Sequence, residues 1–91
     1  MYYLYILQCA DETLYTGITT DLARRVAEHN EKKLGAKYTA GRRPVRLVYA
    51  KKFKNRSSAL REEARVKKLK REDKMALIGK LRVDGRRGSI Y

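Results

Sequence analysis

The first part of the chain alternates apolar and polar positions in a way that predicts a β-hairpin. The stretch YYLYILQC is rich in Tyr, Leu and Ile, as is typical of a strand, and LYTGIT has a similar character. Asp11 and Glu12 lie between the two and predict a polar turn. Gly17 interrupts the second strand, and glycine at such a position indicates that another backbone or a ligand comes close.

A helical pattern follows the hairpin directly, from about residue 21 to about residue 33. Arg25 and His29 are four positions apart and therefore share one face of this helix. His29 is expected at the margin of the apolar side, and Gly35 is expected to end the helix. The candidate N-caps are Thr19, Thr20 and Asp21.

A third strand is predicted over Val45 to Phe53. Strict alternation places Val45, Leu47 and Tyr49 on one face and Val48 on the other.

Two more helices are predicted, from about Ser58 to Arg71 and from Asp73 to Leu81, with Leu77, Ile78 and Leu81 as the buried positions of the second. We therefore expect one domain over residues 1–82, followed by a loose basic tail over residues 83–91.

Net charge is the feature of the composition that most restricts the possible functions. The 91 residues include 23 Lys and Arg against 10 Asp and Glu, a formal net charge of +13, which points to a polyanionic partner and first of all to nucleic acid. No apolar run is long enough to span a membrane, and the N-terminus has the pattern of a strand and not of a secretory signal. The lone Cys9 fits a reducing, cytoplasmic environment and is interpreted as a small core residue.

Glu63 is the most informative acidic residue, because the predicted second helix places it on the same side as Ala59 and Val66. A carboxylate on an apolar face needs a partner. The simplest partner is Lys67, four residues further along the helix. The alternative is Mg²⁺, which accepts one or two protein carboxylates and keeps water and phosphate oxygens as its other ligands. Spacing alone favours the ion pair.

Short motifs occur in a fixed order along the chain: Tyr3-Leu4-Tyr5, Tyr15-Thr16-Gly17, then Arg25, His29 and Glu63, and last Lys74, Leu77 and Ile78. In this order and spacing they resemble the GIY-YIG endonuclease superfamily, in particular its small bacterial members that consist of that domain alone. The resemblance covers the chain from Tyr2 to about Leu81. The departures are Tyr3 and Leu4 in place of glycine and isoleucine, and Thr16 in place of isoleucine.

The resemblance implies an α/β fold, with a small antiparallel three-stranded sheet flanked by three helices. It also implies an endonuclease that hydrolyses phosphodiester bonds with Mg²⁺ or Mn²⁺ and has DNA as the expected substrate. The carried-over roles are a general base for Tyr5 and an orienting hydrogen bond for Tyr15. Arg25 would contact the phosphate, His29 would bind phosphate or relay a proton, and Glu63 would hold the metal. A basic environment is expected to lower the pKa of Tyr5.

Two other functions fit the same residues: a nucleic-acid-binding module with weak or lost catalysis, and a cationic surface for an acidic protein. The residues expected to carry backbone binding are the cations of the central loop and the third strand, namely Lys37, Arg42, Arg43, Arg46, Lys51, Lys52 and Lys54.

Overall fold

A computed structural model describes residues 1–31 and 41–82, with the backbone alone described at residues 80–82. The described elements are three strands and three helices: β1 (Tyr2–Gln8), β2 (Leu14–Thr19), α1 (Leu22–Asn30), β3 (Arg46–Phe53), α2 (Arg56–Lys67) and α3 (Arg71–Arg82). The strands form one antiparallel sheet in the order β2-β1-β3. The predicted fold class is therefore confirmed. Gly35, Lys37 and the tail over residues 83–91 lie outside the described residues.

The hairpin of β1 and β2 forms as the sequence predicts. Its turn is closed by Asp11, whose Oδ1 accepts hydrogen bonds from the backbone N–H of Thr13 at 3.1 Å and from its hydroxyl at 2.6 Å. Glu12 takes a left-handed conformation with φ of 68° in this turn. The resulting register sets Tyr5 directly opposite Gly17.

The sheet has an apolar core on each face. The α1-side core consists of Tyr5, Leu7, Cys9, Leu22, Val45 and Leu47. The opposite core, against α2 and α3, consists of Leu4, Ile6, Val48, Val66 and Ile78. Cys9 has a free, buried thiol, so its interpretation as a core residue is confirmed.

A β-bulge in β3 overturns the predicted alternation of that strand. Ile6 pairs with Tyr49 while Leu7 pairs with Leu47, so Val48 is the extra residue. Val48 and Tyr49 therefore both pack on the core against α2 and α3, although Tyr49 was expected beside Leu47. Beyond the bulge, Lys52 lies opposite Tyr3, two positions along β1 from Tyr5.

Helix α1 begins where the sequence predicts and ends earlier. Asp21 is its N-cap, with Oδ1 accepting from the backbone N–H of Arg24 at 3.1 Å. The helix stops at Asn30, not near residue 33, because Glu31 is already extended. At that point the Asn30 side chain bonds Val45, accepting from its N–H at 2.7 Å and donating to its carbonyl at 3.1 Å.

The last two helices are shifted relative to the prediction. Asn55 caps α2 by accepting from the N–H of Ser58 at 2.9 Å, so α2 starts at Arg56 and not near Ser58. It ends at Lys67 and not at Arg71, and α3 starts at Arg71 and not at Asp73. No described helix is both long and apolar enough to cross a membrane.

Thr16 leaves one defect in the core against α2 and α3. Its side chain alternates with those of Tyr15 and Gly17 and so faces away from α1. The residue is 4 % exposed, and its hydroxyl has no hydrogen-bond partner among the described residues. A hydroxyl here stands where the resembling family has an isoleucine, which needs no partner.

Candidate active site

The candidate site is built around the hydroxyl of Tyr5, at the centre of β1. Tyr5 is 2 % exposed and packs in the α1-side core. Its ring lies over Gly17: a Cβ atom at that position would meet the Tyr5 hydroxyl at 2.6 Å and Cζ at 2.8 Å. The close approach expected at Gly17 is therefore confirmed, and the approaching group is the Tyr5 ring.

His29 on α1 is brought to the same hydroxyl. The oxygen of Tyr5 and Nε2 of His29 are 3.0 Å apart and buried. His29 is 0 % exposed, so its predicted place at the margin of the apolar side is wrong. It is buried because Asn30, the next residue, docks the end of α1 onto Val45.

Tyr15 on β2 completes an aromatic cluster on this face. Its ring centroid lies 5.0 Å from that of His29 and 6.4 Å from that of Tyr5. Tyr5 and His29 meet edge to face, with centroids 6.0 Å apart. These separations are typical of favourable aromatic pairs. Tyr3 points to the same face but is not part of this cluster, so Tyr5 is the first-motif tyrosine that meets His29.

Arg25 on α1 is the cation of the site. Its guanidinium lies within hydrogen-bonding reach of the Tyr5 hydroxyl, and Nη1 lies 2.8 Å from Oε1 of Glu28. Arg25 can only donate, so in a hydrogen bond between the two the Tyr5 oxygen is the acceptor. The Tyr5 hydroxyl can then donate its own hydrogen to Nε2 of His29, so that each of the three groups has a hydrogen-bond partner. His29 then carries its proton on Nδ1.

Burial moves both titrating groups of this pair away from neutral pH. It raises the pKa of Tyr5 to about 12, although the hydrogen bond from Arg25 acts in the lowering direction. The expectation that basic surroundings lower this pKa is therefore wrong, because burial outweighs one guanidinium. Burial also lowers the pKa of His29 to about 4, and the Arg25 charge adds to that effect. The free protein thus holds a neutral tyrosine against a neutral histidine.

Glu63 lies on α2 with its side chain 18 % exposed. Its Oε2 is 3.3 Å from Nζ of Lys67, so the helical ion pair is present. Glu63 is also close enough to Tyr5 for its negative charge to act against ionisation of the phenol. The neighbouring Glu62 is paired with Arg65 at 2.9 Å, and the hydrogen bond from Arg65 lowers the pKa of Glu62.

The donor set limits which metal fits. Within residues 1–31 and 41–82, no group of three or more His, Cys, Asp or Glu side chains is arranged to hold a metal ion. A single carboxylate is nevertheless a fitting protein ligand for Mg²⁺, whose other positions are taken by water and phosphate oxygens. Glu63, partly exposed and with an oxygen-only donor, meets that requirement.

The predicted nucleic-acid-binding cations fall into separate groups. Arg42 pairs with Asp11 at 3.0 Å, Arg43 donates to the Glu31 carbonyl at 2.7 Å, and Arg46 donates to Gln8 at 2.9 Å. These three therefore also hold the fold together.

The β3 cations are divided by the alternation that follows the bulge. Lys52 is exposed on the face of Tyr5, whereas Lys51 is on the opposite face with Nζ 5.5 Å from the Phe53 ring centroid. Lys54 is exposed just beyond β3.

Two residues of the site neighbourhood were missed by sequence reasoning. Glu28 contacts Arg25, and the signal was available, since the two are three apart on one helix. Asn30 anchors the end of α1 to Val45 across 15 positions of sequence, and no local pattern indicates that contact.

Comparison with known proteins shows the family of the chain. Residues 1–76 match the GIY-YIG catalytic domain family. A UPF0213 protein of Syntrophus aciditrophicus is 50 % identical over 76 residues, covering 84 % of this chain and 87 % of the relative. A UPF0213 protein of Natronomonas pharaonis is 52 % identical over 77 residues, covering 85 % and 89 %.

Two solved structures are similar as well. The solution NMR structure of a UPF0213 protein from Bacillus halodurans has a TM-score of 0.56 and 48 % identity, covering 87 % of this chain and 84 % of the other. The solution NMR structure of a protein from E. faecalis has a TM-score of 0.61 and 41 % identity, covering 94 % and 91 %.

The fold and the Tyr-Arg-His cluster thus define a domain of nuclease type. The chain belongs to the GIY-YIG catalytic domain family. Within that family it is similar to the UPF0213 proteins.

Proposed function

We propose that this protein is a metal-dependent endonuclease that hydrolyses phosphodiester bonds, with DNA as the substrate. The observation that carries the proposal is the convergence of Tyr5, Arg25 and His29 on one hydroxyl, with Tyr15 packed against His29. Each of these residues, taken alone, has an ordinary structural explanation. Their meeting at one point, in the order shared with the nuclease family, is what a purely structural role does not explain.

In the proposed reaction Arg25 binds the scissile phosphate. A guanidinium suits this task because its planar set of donors matches phosphate oxygens and stabilises charge that develops on them. Arg25 is 27 % exposed on its side chain, so it reaches both solvent and the Tyr5 hydroxyl. Exposed cations such as Lys52, on the same face, supply further contacts to the backbone of the nucleic acid.

Tyr5 accepts the proton of the attacking water, and His29 is placed to receive the proton that Tyr5 already holds. Nε2 of His29 is 3.0 Å from the Tyr5 oxygen, which is hydrogen-bonding distance. A neutral histidine is required for this role, and burial keeps His29 neutral. The same burial lowers its pKa to about 4 and opposes the transfer, so substrate binding must raise the proton affinity of His29. Because burial raises the pKa of Tyr5 to about 12, binding of the substrate must favour the phenolate more strongly than the free protein does.

Glu63 is the residue that would hold the divalent cation, and that cation would stabilise charge on the phosphate and the leaving oxygen. The carboxylate has a second effect on this chain. Its charge raises the pKa of Tyr5, so any partner that neutralises Glu63 favours ionisation of the phenol. The Lys67 ion pair at 3.3 Å already provides part of that neutralisation.

A second candidate function is a nucleic-acid-binding module with weak or lost catalysis. The observation that favours it is the state of Tyr5, which is almost fully buried and has its pKa raised to about 12. Both properties oppose a general base at neutral pH. In that case the net charge of +13 carries the function, and only salt-dependent binding remains.

Nicking of supercoiled plasmid by Glu63→Gln and by the matched variant Glu62→Gln distinguishes these functions. Both carboxylates are equally exposed and both are paired on α2, with Lys67 and Arg65. We expect Glu63→Gln to fold and to bind DNA but not to cleave at any Mg²⁺ concentration. Glu62→Gln should cleave like the parent.

Further observations decide between the outcomes. Mn²⁺ should broaden NMR signals around residue 63 in the parent and not in Glu63→Gln. If Glu63 serves only its ion pair, its loss changes stability by about 0.3–0.5 kcal/mol and leaves cleavage intact. Parental activity of Glu63→Gln therefore refutes the metal assignment. A parent protein that binds DNA and never cleaves it, with Mg²⁺ or Mn²⁺ and on branched, flapped and single-stranded substrates, supports the binding module.

A further inference from the structure

Arg25 is held on two sides before any substrate arrives. Its Nη1 lies 2.8 Å from Oε1 of Glu28, one helical turn further along α1, and its guanidinium is also within hydrogen-bonding reach of the Tyr5 hydroxyl. The two side chains are 27 % and 24 % exposed, so the pair is partly shielded from water. Glu28 is also near Arg24, but Nε of that residue is 3.9 Å away and its side chain is 62 % exposed. The Glu28 carboxylate is therefore bound mainly to Arg25.

We propose that Glu28 is a positioning residue, which fixes the guanidinium of Arg25 beside the Tyr5 hydroxyl so that it meets the scissile phosphate in one orientation. The inference deepens the proposed nuclease function and rests on it. Glu28 itself touches neither the substrate nor the hydroxyl in this scheme. Its action passes entirely through Arg25.

The physical argument concerns the length of the arginine side chain. Arg25 has several rotatable bonds and a charged end that is partly open to solvent, so one hydrogen bond to a neutral phenol leaves it many orientations. A charge-assisted bond to a carboxylate is shorter and stronger than a neutral one and restricts the planar group. Small displacements of a group that contacts the reacting atoms reduce rates strongly. Removal of Glu28 should therefore act on the rate of the bound complex.

A similar pair on α2 shows what a merely structural ion pair looks like here. Glu62 and Arg65 are also three residues apart on a helix and also hydrogen-bonded, with Arg65 54 % exposed. The groups that they influence are Tyr49 and Lys51, not Tyr5 or His29. Glu62→Ala is therefore the matched control: it removes the same kind of pair from a helix of the same sheet without touching Arg25.

The test compares Glu28→Ala, Glu28→Gln and Glu62→Ala in two measurements. In plasmid nicking, kcat of Glu28→Ala should fall about 10- to 100-fold, with a smaller change in KM. Glu28→Gln, which keeps an oxygen that accepts from Arg25 but loses the charge, should restore part of that loss, and Glu62→Ala should cleave like the parent. The second measurement is the NMR signal of the Arg25 η N–H groups, which contact Glu28, assigned by its loss in Arg25→Lys. It should be sharp and slow to exchange in the parent and in Glu28→Gln, and averaged in Glu28→Ala.

The outcomes separate this inference from the function beneath it. If the parent does not cleave, the proposed function fails, and the Arg25 signal alone decides whether Glu28 orders that side chain. If Glu28→Ala keeps both the parental kcat and a sharp Arg25 signal, the positioning role is wrong. It is also wrong if Glu28→Ala and Glu62→Ala lose activity equally, or if Glu28→Gln is as impaired as Glu28→Ala.

Discussion

The burial of His29 predicts a loss of stability in mild acid that comes from one side chain. The pKa of His29 lies near its ordinary value of 6.5 in the unfolded chain and is lowered to about 4 in the folded protein, first by burial and then by the Arg25 charge. Among the described residues, the groups around it are Tyr5 and Tyr15 on the sheet and Arg25 and Glu28 on its own helix, and of these Glu28 favours the imidazolium. Protonation therefore favours the unfolded state at every pH between the two values.

The magnitude follows from these pKa values. Above pH 6.5 both states hold a neutral His29 and its contribution to stability is complete. As the pH falls from 7 to 5, His29 becomes protonated in the unfolded chain but stays mostly neutral in the folded protein. This difference lowers the free energy of unfolding by about 2 kcal/mol. The full difference between 6.5 and about 4 corresponds to about 3 kcal/mol, reached only near pH 4. Hydrogen bonding holds the pKa values of Asp11 and Glu62 below their ordinary range, so these carboxylates do not titrate between pH 7 and 5.

Urea unfolding at pH 7, 6 and 5 measures the effect, with His29→Gln as the control. Glutamine places a polar group near the position of Nε2 and does not titrate in this range. We expect the parent to lose about 2 kcal/mol across the series and the variant to stay nearly constant. Because His29 is the only histidine of the chain, its NMR titration gives the folded pKa directly. A parent whose stability is constant from pH 7 to 5, or a variant with the same loss, would refute the assignment.

Two further predictions concern the core around the site. Gly17→Ala should destabilise the protein by about 1–3 kcal/mol and reduce nicking, because its Cβ would meet the Tyr5 hydroxyl at 2.6 Å. A Cβ at Gly79 would meet nothing within 4 Å, so Gly79→Ala is the control. It should be tolerated in both urea unfolding and nicking assays. Equal behaviour of the two variants would contradict the close packing. Thr16→Val should raise the free energy of unfolding by about 1 kcal/mol, since it removes a buried hydroxyl without a partner among the described residues. Thr13→Val, which loses a bond to a carboxylate, should show no gain, and a gain of equal size would argue against the defect at Thr16.

The hairpin and the start of α1 could be predicted because their signals are local. Asp11 in the turn and Asp21 at the cap act on backbone groups two or three residues away, and the structure shows both contacts. The meeting of Tyr5, Arg25 and His29 was expected from the family's order of residues. The connection between β2 and α1 is only two residues long, so few arrangements of the strand and the helix are available.

The remaining features depend on contacts that no local pattern carries. Leu47 to Ala50 are four apolar residues in succession, so the sequence does not show which of them breaks the alternation of β3. The bulge at Val48 is therefore visible only in the structure. The burial of His29 depends on the Asn30 contact with Val45, far away in sequence. The raised pKa of Tyr5 is likewise a property of the packed core, since charge counting alone predicts the opposite sign.

The two hydrogen bonds between Asn30 and Val45 also make the position of the site residues independent of the segment between them. One side-chain amide binds both backbone groups of Val45, so the chain leaves α1 and returns to β3 at two points fixed side by side. The two ends of the segment between Asn30 and Val45 are therefore held together whatever the length of that segment. The free energy of closing such a segment changes slowly with the number of residues in it. We therefore expect insertions between residues 31 and 41 to leave His29, next to its anchor, in its place against Tyr5.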